Sequence, residues 1–182
     1  KLPTFTKIMI NGKQEWLREL ADFIVEANTK GWAAEGSEVE PIFPGMKSIY
    51  YKRGDWELRD NYFDYFRAPG FTVVSQNNKP VWMMTYFGAG QTPGYEHIVK
   101  STFSFLKRAL IKVTPDMPFR RPSEYTEKDW TYRFRLLRGD IEDFLWKEEI
   151  LKSGNLVFAQ TGGGGVGIPK NSERKPAYHW KI

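Results

Sequence analysis

The chain predicts an α+β fold, an antiparallel sheet or pair of sheets carrying two long helices. Three observations carry that prediction. Two stretches, one ending near residue 27 and one near 113, space their apolar residues at helical intervals. The rest is short strand-like segments rich in aromatic and β-branched residues, parted by turn signals. An internal echo at an offset of 76 residues pairs Val74 with Ile150, Asn78 with Gly154, Val81 with Val157, Trp82 with Phe158, Thr85 with Thr161 and Gly88 with Gly164. The order helix, strands, helix, strands therefore suggests two related halves, 11–90 and 92–168, in one domain spanning 1–168.

The elements follow in order. Asn11 is placed to cap the first helix, with Gln14 as its reciprocal partner. Leu17, Leu20, Ile24 and Ala27 form its apolar stripe, and Gly31 is its expected stop. Residues 34–47 hold Gly36, Pro41, Pro44 and Gly45 and read as a loop. Ser48–Lys52 and Trp56–Phe63 read as strands joined at Arg53-Gly54-Asp55, and Phe71–Gln76 and Pro80–Phe87 as a hairpin around Asn77-Asn78-Lys79.

Thr92-Pro93 opens the second helix, with proline at its first position. Its stripe runs Tyr95, Ile98, Val99, Thr102, Phe105, Leu106, Ala109, Leu110 and Val113, and Pro115 ends it. Residues 114–128 read as irregular. Trp130–Arg138 alternates apolar and basic residues, and Gly139-Asp140 turns the chain. Ile141–Leu151 reads as strand, with a short helix as the alternative. Ser153-Gly154-Asn155 turns the chain again into a strand at Leu156–Thr161. Gly162–Gly165 has no following Lys-Ser/Thr, so it reads as a flexible turn and not a phosphate loop. Residues 169–182 form a polar tail with the composition of a disordered end.

Composition bounds the chemistry. The 182 residues are 41% hydrophobic and 27% charged, with aromatics high at 16%. They suffice for one domain with a real core. Without cysteine there is no disulfide, thiolate metal site or thiol nucleophile. Two histidines, His97 and His179, make a histidine metal site improbable, and no cofactor is expected. His97 beside Glu96 is a weak candidate base. No apolar run reaches a membrane span, and Lys1-Leu2-Pro3 does not open a signal peptide, so a cytoplasmic protein without membrane contact is expected. The net charge of +5 favours loose association with anionic partners. Lys107-Arg108, Arg120-Arg121 and Arg133/Arg135/Arg138 read as solvated faces.

The richest stretch is Ile49–Gly90, where tyrosine, tryptophan, phenylalanine and methionine crowd short strands. If Trp56–Tyr62 is extended, Trp56, Leu58, Asp60 and Tyr62 share one face. Asp60 then lies among aromatics. In the second half Phe144, Trp146, Glu148 and Ile150 share a face in the same way. A carboxylate in such surroundings is hydrogen-bonded, paired or protonated. That is how an acid or base is made, and also how a ligand's polar end is fixed. Asp60 and Glu148 are the candidate catalytic pair. Tyr50, Trp56, Tyr62, Trp82 and Tyr86 are the candidate ligand-binding aromatics, suited to a flat or cationic ligand. A core with polar tips is the plain alternative.

Gly54-Asp55, Asp60-Asn61-Tyr62-Phe63, Pro80-Val81-Trp82 and Tyr86-Phe87-Gly88 together resemble the pattern of a bacterial domain of unknown function. Some members of that family are fused behind helix-turn-helix regulators. Gly139-Asp140, Phe144, Glu148, Ile150 and Gly163-Gly164 resemble its second block, so the resemblance covers about 20–168. Leu58, Thr72 and Thr85 stand where the pattern has tyrosine, glutamate and asparagine. The resemblance implies a shared fold and no particular activity. The leading expectation is a ligand-binding or regulatory interaction domain with a small-molecule partner in an aromatic cleft anchored by a carboxylate. A small hydrolase or lyase using Asp60 and Glu148 is the alternative. A nucleotide or nucleic-acid binder is the third.

Overall fold

A computed structural model of the chain describes residues 4–32, 38–63, 66–120 and 122–181, without the side chains of 4–11 and 32. Its elements are α1 (Thr4–Ala27), a π-helical turn (Asn28–Trp32), β1 (Glu38–Val39), β2 (Lys47–Arg53), β3 (Trp56–Tyr62), β4 (Gly70–Gln76) and β5 (Lys79–Gly90). A 3₁₀ turn (Tyr95–His97), α2 (Val99–Leu110), β6 (Glu124–Glu127), β7 (Trp130–Asp140), β8 (Asp143–Lys152) and β9 (Asn155–Val166) follow.

The strands form one nine-stranded sheet in the order β1-β2-β3-β4-β5-β9-β8-β7-β6, antiparallel throughout. Each meander follows its own helix, and their last strands meet at the centre as the β5–β9 pair. Registers recur across the two meanders at the offset of the echo. Thr72 faces Met84 as Glu148 faces Gln160, and bulges fall at Val74/Ser75 and Ile150/Leu151. The hairpin turns recur too, with positive φ at Asn77 and Asn78 and again at Ser153 and Gly154. Two such residues make the turn whose twist suits paired strands.

Both helices cover the same face of the sheet. Phe23 of α1 stacks on Trp56 at 5.6 Å, and Phe105 of α2 packs on Trp130 at 5.6 Å. The expected stripe of α2 is buried from Tyr95 to Val113, Ile98 only partly. The opposite face keeps Met83, Phe87 and Leu145 exposed. The aromatic surplus of Ile49–Gly90 is therefore only partly absorbed by the covered face, which buries Trp56, Trp82, Met84 and Tyr86.

Several expectations are corrected. The backbone is already helical at Thr4, so Asn11 lies inside α1 and does not begin it. The helix widens into a π turn that runs through Gly31 instead of stopping there. Tyr125 and its neighbours pair with β7 in a stretch expected to be irregular. The reversal after β7 falls at Ile141-Glu142, beyond Gly139-Asp140, because an Asp140–Asp143 pair closes the hairpin. Gly162–Gly165 is no flexible turn. It is central strand, paired on both sides, and a Cβ on Gly164 would collide with the Met83 carbonyl oxygen. Glycine is needed where another backbone approaches this closely. The polar tail packs against the body: His179 stacks on Trp16 at 5.3 Å, and Trp180 meets the same ring at 5.6 Å. Arg121 and part of the 34–47 loop lie outside the described residues.

Candidate functional site

Between the two helices and the covered face of the sheet lies a cavity of about 460 Å³. That is within the range of small-molecule sites. Its walls are apolar and aromatic, from Leu58 and Trp82 on the sheet, Phe103 and Leu106 on α2, and Phe119 in the segment after α2. Five polar side chains reach it from buried positions: Asp60, Thr72, Tyr86, Arg120 and Gln160. Lys47, Lys100, Lys107 and Asn28 also line it.

The strand registers explain this convergence. Asp60 on β3 faces Thr72 on β4, whose hydroxyl donates to Asp60 Oδ1 at 2.7 Å. Tyr86 on β5 faces Gly70 on β4 and leans across it, donating to Asp60 Oδ1 and Oδ2 at 2.9 and 3.1 Å. Gln160 lies over Gly88, where a Cβ would come within 2.8 Å of its Oε1. Arg120 arrives from the segment after α2. That segment is tied to the π turn by Asn28 Nδ2, which donates to the Pro118 carbonyl at 3.2 Å. Such turns often mark functional sites.

Through its charge Arg120 acts on two carboxylates, Asp60 and Glu148, on strands four apart in the sheet order. Its Nε lies 3.2 Å from Glu148 Oε2, to which Tyr132 also donates at 2.8 Å. Its guanidinium lies 5.1 Å from the Trp146 ring and 5.7 Å from the Tyr86 ring. Burial raises the pKa of Asp60 above the usual carboxylate value, opposed by the Thr72 and Tyr86 hydrogen bonds and by the Arg120 charge. Burial likewise raises Glu148 against the pull of Arg120 and Tyr132. Tyr86 and Tyr132 are held protonated, first by burial and then by their neighbouring carboxylates. For Arg120, burial favours loss of the charge, but the charge of Glu148 and its neighbours outweighs it and the net shift is upward.

The sequence-derived candidates thus divide. Asp60, Tyr62, Trp82 and Tyr86 line the cavity. Trp56 packs under α1 against Trp16 and Phe23. Tyr50 faces the other way, with Arg59 over its ring at 5.5 Å. Glu148 is fully buried and touches the network through Arg120, outside the cavity lining. By register it stands where Thr72 stands in the first meander, and the position of Asp60 is taken by Phe134. Arg120, expected on a solvated face, is buried at the centre. Nothing in its local sequence betrays this beyond the neighbouring Phe119. Gln160 was legible: strand alternation with Phe158 and Gly162 puts it on the covered face. Among the described residues no cluster of histidine and carboxylate groups fits a metal ion, and no helix is long and apolar enough to cross a membrane.

A family model described as a domain of unknown function (DUF5680) matches residues 60–166, more than half of the chain. The match begins at Asp60 and takes in every buried polar residue of the cavity, while α1 lies outside it. Comparison with curated proteins and with solved structures gives no match.

Proposed function

We propose that this chain, which belongs to the DUF5680 family, is a small-molecule-binding domain whose ligand occupies the cavity under its two helices and is anchored at Asp60. One observation carries the reading. A buried carboxylate, already holding two hydroxyl donors, faces a cavity of ligand size walled by aromatic side chains. A domain that only needed a core would place apolar side chains there, because burying a charge is costly. The resemblance to domains fused behind helix-turn-helix regulators suits a bacterial, cytoplasmic sensor, in which ligand entry between helices and sheet alters a surface read by a partner. The two-carboxylate enzyme reading draws less support, since Glu148 does not reach the cavity surface.

The test is a thermal-shift screen of metabolites and nucleotides against the parent, Asp60→Asn and Ser104→Trp. Ser104 is exposed and lines the cavity, so tryptophan there obstructs it without entering the core. A ligand at a hundredfold its Kd stabilises by about 2.7 kcal/mol. Hits should lose their shift in Ser104→Trp and weaken in Asp60→Asn. Hits indifferent to both variants would place binding elsewhere and end this reading.

A further inference from the structure

The hydrogen-bond polarity of the cavity floor selects the ligand's head group. Thr72 and Tyr86 each own one hydroxyl hydrogen, and both hydrogens are spent on Asp60. What the three residues turn towards the cavity is lone pairs only. Arg120 forms its ion pair with Glu148 and acts on Asp60 only through its charge, as the smallest of the influences there, so it offsets the carboxylate in part. With both carboxylates ionised, Asp60, Glu148 and Arg120 carry two negative charges against one positive, and the other cations of the lining are Lys47, Lys100 and Lys107. A ligand carboxylate or phosphate would meet lone pairs and like charge at this floor. A ligand hydroxyl would bring one hydrogen and no charge.

Resting on the reading of the cavity as a ligand site, we propose that it takes a largely apolar ligand bearing one cationic N–H donor head, of the primary-amine or amidine class, seated on Asp60. An ammonium supplies up to three donors and the missing positive charge. Trp82 in the lining adds an aromatic ring that attracts a cation, while the Tyr86 ring already carries the Arg120 guanidinium at 5.7 Å. The Gln160 carboxamide, buried and lining the cavity, has no side-chain hydrogen-bond partner among the described residues and offers an additional acceptor from β9. Lys47, Lys100 and Lys107 also line the cavity and oppose a second positive charge, so the ligand carries its one cation at Asp60.

The experiment compares head groups on constant bodies. Tryptamine, tryptophol and indole-3-acetate form one series, and phenethylamine, phenethyl alcohol and phenylacetate a second. Each is titrated calorimetrically into the full chain and into Asp60→Asn and Ser104→Trp. The amine should bind at least tenfold tighter than its alcohol in one series or both, Asp60→Asn should erase that margin, and Ser104→Trp should block binding. The proposal is overturned by tighter binding of the carboxylate member, by equal binding of amine and alcohol, by a margin that survives in Asp60→Asn, or by no binding in either series. Alcohol or carboxylate binding that Ser104→Trp blocks would leave the cavity reading standing while removing the amine. Metabolite hits indifferent to Ser104→Trp would remove both.

Discussion

Gly70 on β4 lies beneath the ring of Tyr86: a Cβ added there would come within 2.5 Å of Tyr86 Cζ and Oη. The missing side chain is what lets Tyr86 reach from β5 across β4 to Asp60 on β3. The second meander inverts this arrangement. Trp146 on β8 is the large residue, and Gly162 on β9 makes room for it. The inversion puts a hydroxyl over the first meander and an indole over the second. The acceptor cluster around Asp60 therefore has no copy.

Gly70→Ala should displace Tyr86 and free its hydroxyl from Asp60. Overpacking of this kind costs about 1–3 kcal/mol, measurable as a lowered denaturation midpoint. In a Tyr86→Phe background the phenyl ring still blocks the added methyl, but the hydrogen bond is already gone. The same substitution should then cost less. An equal cost in both backgrounds would show that the glycine serves the ring alone and not the hydrogen bond.

Arg120→Met should destabilise the fold strongly, because Glu148, wholly buried, would lose its counter-charge. Removing one partner of a buried ion pair costs about 3–5 kcal/mol. Adding Glu148→Gln neutralises the orphaned charge while keeping an acceptor for Tyr132. The double variant should recover much of the loss in urea denaturation. Strictly additive losses would mean that Arg120 acts through packing on Trp146 and Tyr86 rather than through charge.

Much of this architecture was readable in advance. The helix stripes, the hairpin turns and the inward face of Trp56, Leu58, Asp60 and Tyr62 all follow from periods of 3.6 and 2. Long-range placement was not readable. Arg120 sits in a segment without periodicity, and the forces that bury it come from Glu148, Trp146 and Tyr86, all distant in sequence. Tyr50 failed as a cleft residue for a local reason, since it occupies the register opposite to Tyr51 and Ile49. Gly162–Gly165 misled because glycine runs usually signal turns. Here glycine answers to Trp146 and to the Met83 and Glu142 carbonyls pressed against the strand. The tail misled because His179 and Trp180, few among many polar residues, suffice to dock it on Trp16.

At the surface, Glu26 gathers Tyr51, Lys30 and Arg53 around one carboxylate. The Tyr51 hydrogen bond, then the one from Lys30, holds its pKa down at about 2, from an ordinary 4.5. A depressed folded value means that its stabilisation is complete above 4.5 and fades as pH falls towards about 2. Solvent screening keeps the contribution modest. The stability difference between the parent and Glu26→Gln should therefore be constant near neutrality and shrink through that acid window. A difference unchanged across the window would remove the electrostatic account.

The buried carboxylate at Asp60 has the opposite sign, and this separates a ligand anchor from a structural one. Burial lifts its folded value above the unfolded 3.8, so the native state holds the proton more tightly than the unfolded chain. At higher pH the ionised group costs stability. As pH falls through the raised value towards 3.8 that cost is relieved, and the protein gains relative to a variant with no charge there. Without ligand, Asp60→Asn should be at least as stable as the parent at about pH 8, and the parent should gain on it as pH falls towards about 4. Glu148 titrates in both proteins and drops out of the difference. A residue retained only for the fold would behave otherwise: Asp60→Asn would be the less stable protein at pH 8. Denaturation of both proteins across this range decides whether the charge at Asp60 is kept at the fold's expense, as a site waiting for its ligand requires.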